Sequence, residues 1–374
     1  MKLTCTRENL ARALTLVSGA AGKNINLPIL SNVLIKVDNQ KAEIISTNLE
    51  LAIIINLRSK IEETGSFTVP AKTLTDFVSL LSDEKVELEQ KESELVIKCG
   101  KSSTKIKGIP ADEFPVIPNL EDGEGFLVKA EDFKKGLGQV TPAISKNDIR
   151  PELAGVCFGF NQGEKKELVM AATDSYRLAE KKINVSQGDG KHRIIVPNHT
   201  AHEIGRILAL VDGEQHEESA RILVGASQLA LHYGNVQLIS RLVDGQYPDY
   251  TQIIPKDFRT QTTFSTHQLI KEIKAASLFT TSGVNAITFD FNTAEGAIKI
   301  TSASTQTGEY SSEINTEIQG ENNSILLNHR YLLDGLNNLG TENTVFNLIN
   351  GDSPCIFRPE GDESYLYIVM PIRK

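Results

Sequence analysis

The segment Leu3-Thr-Cys-Thr-Arg-Glu-Asn-Leu10 reads as a short strand that runs into a helix, and the chain repeats it twice. Apolar side chains follow at positions i, i+4 and i+7, which is the spacing of one face of an α-helix. Self-similarity at an interval of ~125 residues predicts three copies of one structural unit. The later stretches are Phe126-Leu-Val-Lys-Ala-Glu-Asp-Phe133 and Thr263-Phe-Ser-Thr-His-Gln-Leu269, and the apolar trios are Leu10, Leu14, Val17; Phe133, Leu137, Val140; and Leu269, Ile273, Ala276.

A second strand-to-helix pattern follows in each copy, after short stretches that end at Pro70, Pro197 and Asn328. Between the helices, polar and apolar residues alternate as they do in half-buried antiparallel strands, at about eight strands per copy. The periodicity predicts helices over 7–18, 71–82, 130–141, 198–211, 267–277 and 329–339.

These patterns predict an α+β fold built from three similar domains, each with two helices and antiparallel sheets. Proline and acidic residues cluster from Pro115 to Glu124 and from Pro248 to Lys256, which is typical of linkers. We therefore expect domains at 1–122, 123–256 and 257–374.

Composition narrows the class of protein. The chain has 374 residues, of which 40% are hydrophobic, a formal charge of −9 and a pI near 5.4. This excludes a disordered chain, and the acidic balance argues against a protein that grips nucleic acid over its whole surface, although a locally basic lining stays open. The N-terminal residues lack the apolar stretch of a secretory signal, so we expect a cytoplasmic protein with no membrane contact.

The cysteines are far apart in sequence and form no Cys-x-x-Cys pair. Neither a disulfide framework nor a zinc ribbon is indicated, and we expect buried, reduced thiols. They are Cys5, Cys99, Cys157 and Cys355.

Basic or potentially basic residues occupy the second position after an anchor residue of each predicted helix, where the anchors are Leu10, Phe133 and Leu269 for the first helices and Pro70, Pro197 and Asn328 for the second helices. On the first helices this position lies ~200° around the axis from the anchor, so it faces solvent or a ligand. Cations in a first helical turn oppose the helix dipole, which an anionic partner would explain. The alternative is an ordinary solvated helix face. The residues are Arg12, Lys135 and Lys271 on the first helices and Lys72, His199 and Arg330 on the second helices.

Motifs for catalysis are missing from the sequence. It contains no phosphate-binding glycine loop, no dinucleotide-binding turn and no nucleophile elbow. His199 and His202 stand beside Glu203 at a spacing that could hold a metal on a helix, which leaves a metal-dependent hydrolase as one alternative. A monomeric scaffold that binds only peptides is another. We expect no catalysis, no metal and no cofactor.

The whole chain resembles the bacterial sliding clamp family, the beta subunit of DNA polymerase III. The resemblance rests on the order and spacing of several short motifs together. They are Met1-Lys-Leu-Thr4, Leu27-Pro-Ile-Leu-Ser-Asn32, Thr173-Asp-Ser-Tyr-Arg-Leu178, Tyr247-Pro-Asp-Tyr250 and Val369-Met-Pro-Ile-Arg373.

The resemblance implies a processivity factor without activity of its own: a head-to-tail homodimer whose six domains close a ring around double-stranded DNA. Twelve helices side by side, each ~10 Å wide, would leave a bore of roughly 28 Å, enough for a duplex. A ring is held on DNA by topology, so its lining needs only sequence-independent phosphate contacts. The implied partners are the replicative polymerase subunit, the clamp loader and other proteins with clamp-binding motifs.

The resemblance also implies contact residues. For DNA it indicates Lys23 in a loop, Arg150, and Lys72, His199 and Arg206 on helices. For the dimer it indicates Ile106 on an edge strand, with Leu278 and Phe279 after a helix, although burial within one domain would explain these as well.

A partner pocket between the second and third domains is implied too, as an apolar groove with a few polar handles for short peptide motifs. Strand core is the alternative reading for Leu178, Val369 and Ile372. Many relatives have glycine where this chain has Ser175. The pocket residues implied are Leu153, Thr173, Ser175, Tyr176, Arg177, Leu178, Pro248, Ile253, Asn328, Tyr331, Val369, Met370, Pro371, Ile372 and Arg373.

Overall fold

The computed structural model describes residues 1–22, 27–82, 84–120, 122–147, 149–211 and 218–373. Contacts group the chain into two compact units. Unit 1 comprises Met1–Glu131, Ser186–Gly188 and His202–Leu242. Unit 2 comprises Asp132–Val185, Asp189–Ala201 and Val243–Lys374. We call the predicted copies the first, second and third repeats.

Among the described residues, each repeat has two α-helices, where the periodicity predicts them. Side chains at their N-termini cap several of them; the Thr6 hydroxyl, for example, accepts a hydrogen bond from the Asn9 N–H at 3.2 Å. The helices are α1 (Arg7–Val17), α2 (Ala71–Ser79), α3 (Ala130–Val140), α4 (Asn198–Val211), α5 (Thr266–Ser277) and α6 (His329–Leu336).

Helices α2 and α6 end three residues before the predicted ends. After α6 the chain continues in tighter turns, in which the Leu339 N–H donates to the Leu336 carbonyl three residues earlier. Gly340 then adopts a φ of 67°, which ends the helical run. Apolar spacing alone does not separate these turns from an α-helix.

The strands fill the segments between the helices, and every pairing described is antiparallel. Those of the first repeat are β1 (Lys2–Thr6), β2 (Asn32–Val37), β3 (Ala42–Thr47), β4 (Leu51–Asn56), β5 (Ser59–Glu63), β6 (Gly65–Pro70), β7 (Lys85–Lys91), β8 (Glu94–Cys99), β9 (Ser102–Lys107) and β10 (Ile109–Pro110). Those of the second are β11 (Glu124–Lys129), β12 (Gly155–Phe160), β13 (Glu167–Thr173), β14 (Arg177–Gln187), β15 (His192–Pro197), β16 (Ser219–Val224), β17 (Gln228–Tyr233) and β18 (Val236–Arg241). Those of the third are β19 (Thr260–Ser265), β20 (Ala286–Asn292), β21 (Ala297–Ser304), β22 (Gly308–Asn315), β23 (Ile318–Gly320), β24 (Asn323–Asn328), β25 (Asn343–Leu348), β26 (Cys355–Pro359) and β27 (Tyr365–Val369).

Unit 1 contains two sheets. One has the order β5-β1-β7-β8-β9, so β9 lies at its edge. The other runs β10-β6-β2-β3-β4-β18-β17-β16-β11, and it crosses from the first repeat to the second where β4 pairs with β18. Backbone hydrogen bonds therefore join these repeats directly.

Unit 2 is built in the same way. One sheet has the order β22-β21-β20-β24, with β22 at its edge. The other runs β15-β12-β13-β14-β27-β26-β25-β19-β23 and crosses from the second repeat to the third where β14 pairs with β27. We call the β4–β18 crossing the first junction and the β14–β27 crossing the second junction.

The core consists of the side chains that the periodicity selects. All nine residues of the three apolar trios are buried. All four cysteines are buried free thiols, as predicted, and burial raises the pKa of Cys5 to about 12. In the described part of the chain, every helix is too short or too polar to cross a membrane.

Candidate functional site

The site in unit 2 begins with the hairpin turn between β13 and β14. The Thr173 hydroxyl donates to the Arg177 carbonyl at 2.6 Å and accepts from the Ser175 N–H at 3.1 Å. The Asp174 carboxylate accepts from the N–H groups of Tyr176 and Arg177, both at 3.0 Å. These bonds fix the turn, in which Ser175 has a φ of 78°. This left-handed conformation is one that glycine adopts with less strain than serine.

Arg177 is the buried polar group of the site, and its side chain is 5% exposed. Its guanidinium donates to Asp174 at 2.9 Å and to Asp334 at 2.5 Å, and it lies 4.7 Å from the centroid of the Tyr331 ring. Burial alone would lower the pKa of Arg177, but Tyr367 and the two carboxylates outweigh it and raise that pKa. The guanidinium is therefore a fixed positive charge held from several directions.

An apolar cluster forms the floor of the site. Leu153 and Leu178 belong to it, as do Tyr247 and Tyr250 of the Tyr-Pro-Asp-Tyr motif. The two tyrosine rings meet edge to face with their centroids 6.3 Å apart. Burial raises the pKa of both phenols, so both are neutral hydrophobic groups at physiological pH. Next to them, the Pro248 carbonyl accepts from Arg193 at 3.2 Å.

The third repeat contributes the remaining wall. The Met370 N–H donates to the Tyr176 carbonyl at 2.8 Å, which extends the β14–β27 ladder past Val369. The Ile372 N–H donates to the Leu326 carbonyl at 2.8 Å. These bonds hold the C-terminal segment beside the turn, where Met370, Pro371 and Ile372 are half-buried and Arg373 is exposed.

Helix α6 begins at the same wall. Asn328 caps it, because its side chain accepts from the Arg330 N–H at 2.9 Å. The Tyr331 ring stacks on Tyr176 with the ring planes 16° apart, and the Tyr331 carbonyl accepts from the Tyr367 hydroxyl at 2.8 Å. Tyr176 remains 62% exposed, so a large aromatic surface is available on the rim.

The structure thus gathers the turn, the tyrosine motif, the start of α6 and the C-terminal segment into one unit. Leu178 and Val369 are fully buried strand residues, as the alternative interpretation predicts, whereas Ile372 is half-buried and lies beyond the last strand. Ile253, another predicted pocket residue, is 41% exposed. Sequence reasoning missed Asp334 and Tyr367, which hold Arg177. Nothing in the sequence indicates Asp334, because it lies 157 residues from Arg177.

Five of the residues predicted to contact phosphates are exposed on the helices. Each lies on the face opposite or beside the buried apolar residues of its own helix. They are Lys72 on α2, Lys135 on α3, His199 on α4, Lys271 on α5 and Arg330 on α6.

Arg12 and Arg206 have a different environment. Arg12 of α1 donates to the carbonyls of Leu210 and Val211 at the end of α4, at 3.1 and 3.2 Å. Arg206 of α4 donates to the carbonyls of Thr15 and Leu16 at the end of α1, at 2.9 and 2.6 Å. Each arginine thus caps the other helix, where carbonyls lack partners within the helix. Their DNA contacts stay predictions.

Two further predicted DNA contacts lie in loops. Arg150 donates to Glu152 at 3.0 Å and to Ser175 at 3.4 Å, so it lies beside the turn between β13 and β14. Lys23 falls outside the described residues.

Glu203, which the metal-site alternative would use beside His199 and His202, is already bound by an arginine. Glu203 is 8% exposed, and its carboxylate accepts from Arg206 at 2.9 and 2.5 Å. Among the described residues, no group of three or more His, Cys, Asp or Glu side chains is arranged to hold a metal ion.

The predicted dimer residues lie at or near sheet edges. Ile106 is on edge strand β9, where it pairs with Leu95 and is 7% exposed. Phe279 stacks on Tyr310 of edge strand β22, with centroids 6.0 Å apart. Leu278 is 70% exposed. Leu278 is therefore available to a second chain, and the other two are already largely covered within their own repeats.

Comparison with known proteins covers the whole chain. The family models for the N-terminal, central and C-terminal domains of the DNA polymerase III beta subunit match residues 1–118, 127–249 and 251–373. The chain is 29% identical to the beta sliding clamp of Synechococcus elongatus and 26% identical to that of Staphylococcus aureus, over 100% of this chain and 99% of each relative.

Solved structures agree. The crystal structure of the DNA polymerase III beta subunit from Thermotoga maritima matches with a TM-score of 0.92 at 28% identity. That of the DNA polymerase sliding clamp from Bacillus subtilis matches with a TM-score of 0.92 at 27% identity. Each comparison covers 100% of this chain and 99% of the other.

Proposed function

This chain belongs to the DNA polymerase III beta subunit family, and we propose that it acts as a sliding clamp that encircles duplex DNA and tethers the replicative polymerase. The observation that carries this proposal is the succession of three matching family domains along one chain. The role is that of a processivity factor rather than an enzyme. The proposed domains are 1–122, 123–256 and 257–374, and the proposed location is the cytoplasm.

The ring would close through two copies of the chain joined head to tail. Edge strands β9 and β22 each end a sheet, and an exposed edge is a template for pairing with another chain. Pairing β9 of one copy with β22 of the other would leave both edges covered and would repeat by twofold symmetry. Leu278 is exposed and would be buried in this contact.

The duplex would meet the exposed cations of the helices. Lys72, Lys135, Lys271 and Arg330 carry long flexible side chains that suit sequence-independent phosphate contacts. We assign a smaller share to Arg12 and Arg206, since their guanidinium groups already bind helix-end carbonyls.

Partner proteins, including the polymerase and the clamp loader, would dock a short apolar motif in the pocket beside Tyr176 and Met370. The support is physical: an apolar floor, an exposed aromatic rim and one buried guanidinium give a peptide both burial and orientation.

A topological experiment tests the clamp proposal. Protein loaded on nicked circular DNA should resist a wash at high salt, since salt weakens phosphate contacts but does not unlink a ring. Cutting the circle should then release it. Equal loss from intact and cut circles would refute the proposal.

The pocket is tested with Met370→Ala and Tyr176→Ser. Both residues lie on the accessible side of the site, so we expect partner peptides to bind about tenfold more weakly while the dimer is unchanged. Leu80→Ser, which removes an 83% exposed leucine from the end of α2, is the control. Unchanged affinity in both pocket variants would refute this assignment.

A further inference from the structure

We propose that the chain has a second docking site for partner peptides at the first junction, in a cleft of unit 1 that repeats the turn of the partner pocket. We call it the linker cleft. The proposal rests on the proposed peptide pocket, of which it is the structural counterpart. The cleft has a volume of about 250 Å³, and its walls include Leu49, Glu50, Val116, Ile117, Ile239 and Arg241.

The turn between β3 and β4 has the same hydrogen bonds as the turn between β13 and β14. The Thr47 hydroxyl donates to the Leu51 carbonyl at 2.9 Å and accepts from the Leu49 N–H at 3.0 Å. The Asn48 side chain accepts from the N–H groups of Glu50 and Leu51, at 3.0 and 2.8 Å. Each bond has its counterpart at Thr173 to Arg177, with Asn48 in the place of Asp174.

The strand that borders the turn is also equivalent. The Arg241 N–H donates to the Glu50 carbonyl at 2.9 Å, as the Met370 N–H does to the Tyr176 carbonyl. Leu51 pairs with Ser240 across the first junction, as Arg177 pairs with Val369 across the second. The linker cleft therefore has the same rigid backbone frame, which lowers the ordering penalty of binding.

Exposed apolar side chains surround the turn between β3 and β4. Leu49 has a φ of 78°, the same value as Ser175, in a conformation that glycine or asparagine adopts with less strain. It is nevertheless a leucine, and it is 43% exposed. Val116 of the linker is 92% exposed, while its neighbour Ile117 packs against Ile239. The cleft thus presents aliphatic surface on both sides of a packed base.

The charged residues on the cleft indicate which kind of peptide would bind there. Glu50 and Arg241 are both exposed on the cleft, and within the described ranges neither forms an ion pair. Leu51 replaces the buried Arg177, so the base is neutral. The complementary ligand is an extended segment of a partner protein with one aliphatic anchor between an acidic residue and a basic residue.

The test starts with a phage-displayed library of random octapeptides selected on the intact dimer. We expect one class of peptides, with an aliphatic residue between opposite charges, to bind about tenfold more weakly to Val116→Ser but normally to Met370→Ala. Leu80→Ser is again the control. If no peptide class depends on Val116, the linker cleft is not a docking site.

A charge exchange sharpens the result. The double variant Glu50→Arg with Arg241→Glu should select peptides with the two charges in reversed order. Selection of the original order by this variant would overturn the proposed complementarity.

Methyl NMR separates this proposal from the partner pocket in one spectrum. Peptides of the expected class should shift methyl signals of Leu49, Val116 and Ile239, whereas pocket peptides should shift those of Leu178 and Ile372. If only the partner pocket fails to bind peptides, the methyl signals of Leu178 and Ile372 alone should stay unshifted. Shifts of the first set that depend on protein concentration without peptide would show that another copy of the chain covers the cleft, and would overturn the proposal.

Discussion

The two junctions share one backbone plan but place their arginines differently. At the first junction, Arg12 and Arg206 join helix ends, and the turn beside β4 carries the neutral Leu51. At the second, the turn beside β14 carries the buried Arg177, and the helix contact is neutral: Gln139 donates to the Leu339 carbonyl at 3.3 Å. The same arrangement of strands therefore occurs with a buried arginine in the turn at the second junction and with arginines between the helix ends at the first.

This difference shows that a repeated fold fixes the position of a site but not its chemistry. The charged turn gives the second junction a polar handle beside its apolar floor. The neutral Leu51 leaves the linker cleft with an uncharged base, aliphatic walls, and the charges of Glu50 and Arg241 on its rim. Substitutions at the two junctions should therefore have different consequences.

The largest effect is expected for Arg177→Met. It removes the cation between Asp174 and Asp334 and leaves the 14% exposed Asp174 carboxylate without its partner. Breaking a buried ion pair costs about 3–5 kcal/mol, and we expect the low end because Asp334 is 49% exposed. The equivalent Leu51→Met at the first junction should cost less than about 1.5 kcal/mol. Urea unfolding measures both, and equal losses would contradict the comparison.

Arg206→Ala is expected to have the next largest effect. It leaves the buried Glu203 carboxylate and the Leu16 carbonyl of α1 without their donor, while the Thr15 carbonyl keeps the Ser18 hydroxyl, and we expect a cost of about 2–3 kcal/mol. Hydrogen exchange should accelerate in the last turns of α1 and α4. Lys72→Ala, an exposed cation on α2, is the control and should change neither. Unchanged hydrogen-exchange rates in Arg206→Ala would show that the reciprocal arginine contacts do not hold these helices together.

Gln139→Leu should have a smaller effect, of less than about 1 kcal/mol. The substitution removes one long hydrogen bond, but it also removes the Gln139 Oε1 atom, which is buried without a hydrogen-bond partner in the described structure. Thermal unfolding compares it with Arg206→Ala. A larger loss for Gln139→Leu would reverse the ranking of the two helix contacts.

The smallest effect concerns pH at the second junction. Burial, with the nearby charge of Arg330, lowers the pKa of His329 below 6.5. The folded state therefore binds fewer protons than the unfolded state, so this contribution is present above pH ~6.5 and is lost as the pH falls below it. The melting temperature should fall slightly from pH 7 to pH 5.5, and less so in His329→Gln. An identical pH dependence in both proteins would contradict the assignment.

Local patterns in the sequence predicted most of the fold. The buried trios, such as Leu10, Leu14 and Val17, follow from helical periodicity, which depends only on neighbouring residues. The role of Arg206 could not be predicted this way, because its partners on α1 lie 190 and 191 residues away.

The linker cleft had a sequence signature that was missed. Thr47-Asn48 and Thr173-Asp174 open their turns with the same pair of side-chain types, a hydroxyl and an Asx group, which fix a turn by local hydrogen bonds. The equivalence of the two turns lies in their hydrogen bonds and in the shared φ of Leu49 and Ser175, which short local motifs do not specify. Nothing in the sequence separates the 92% exposed Val116 from its partly buried neighbour Ile117.

A covalent test addresses the ring most directly. A photo-crosslinking amino acid in place of the exposed Lys105, on edge strand β9, would join the two copies after loading on a nicked circular plasmid. If the edges close the ring, the dimer that is crosslinked at both of its β9–β22 contacts should stay linked to the circle after denaturation in detergent and leave when the plasmid is cut. Release of the doubly crosslinked dimer from intact circles by detergent would contradict encirclement.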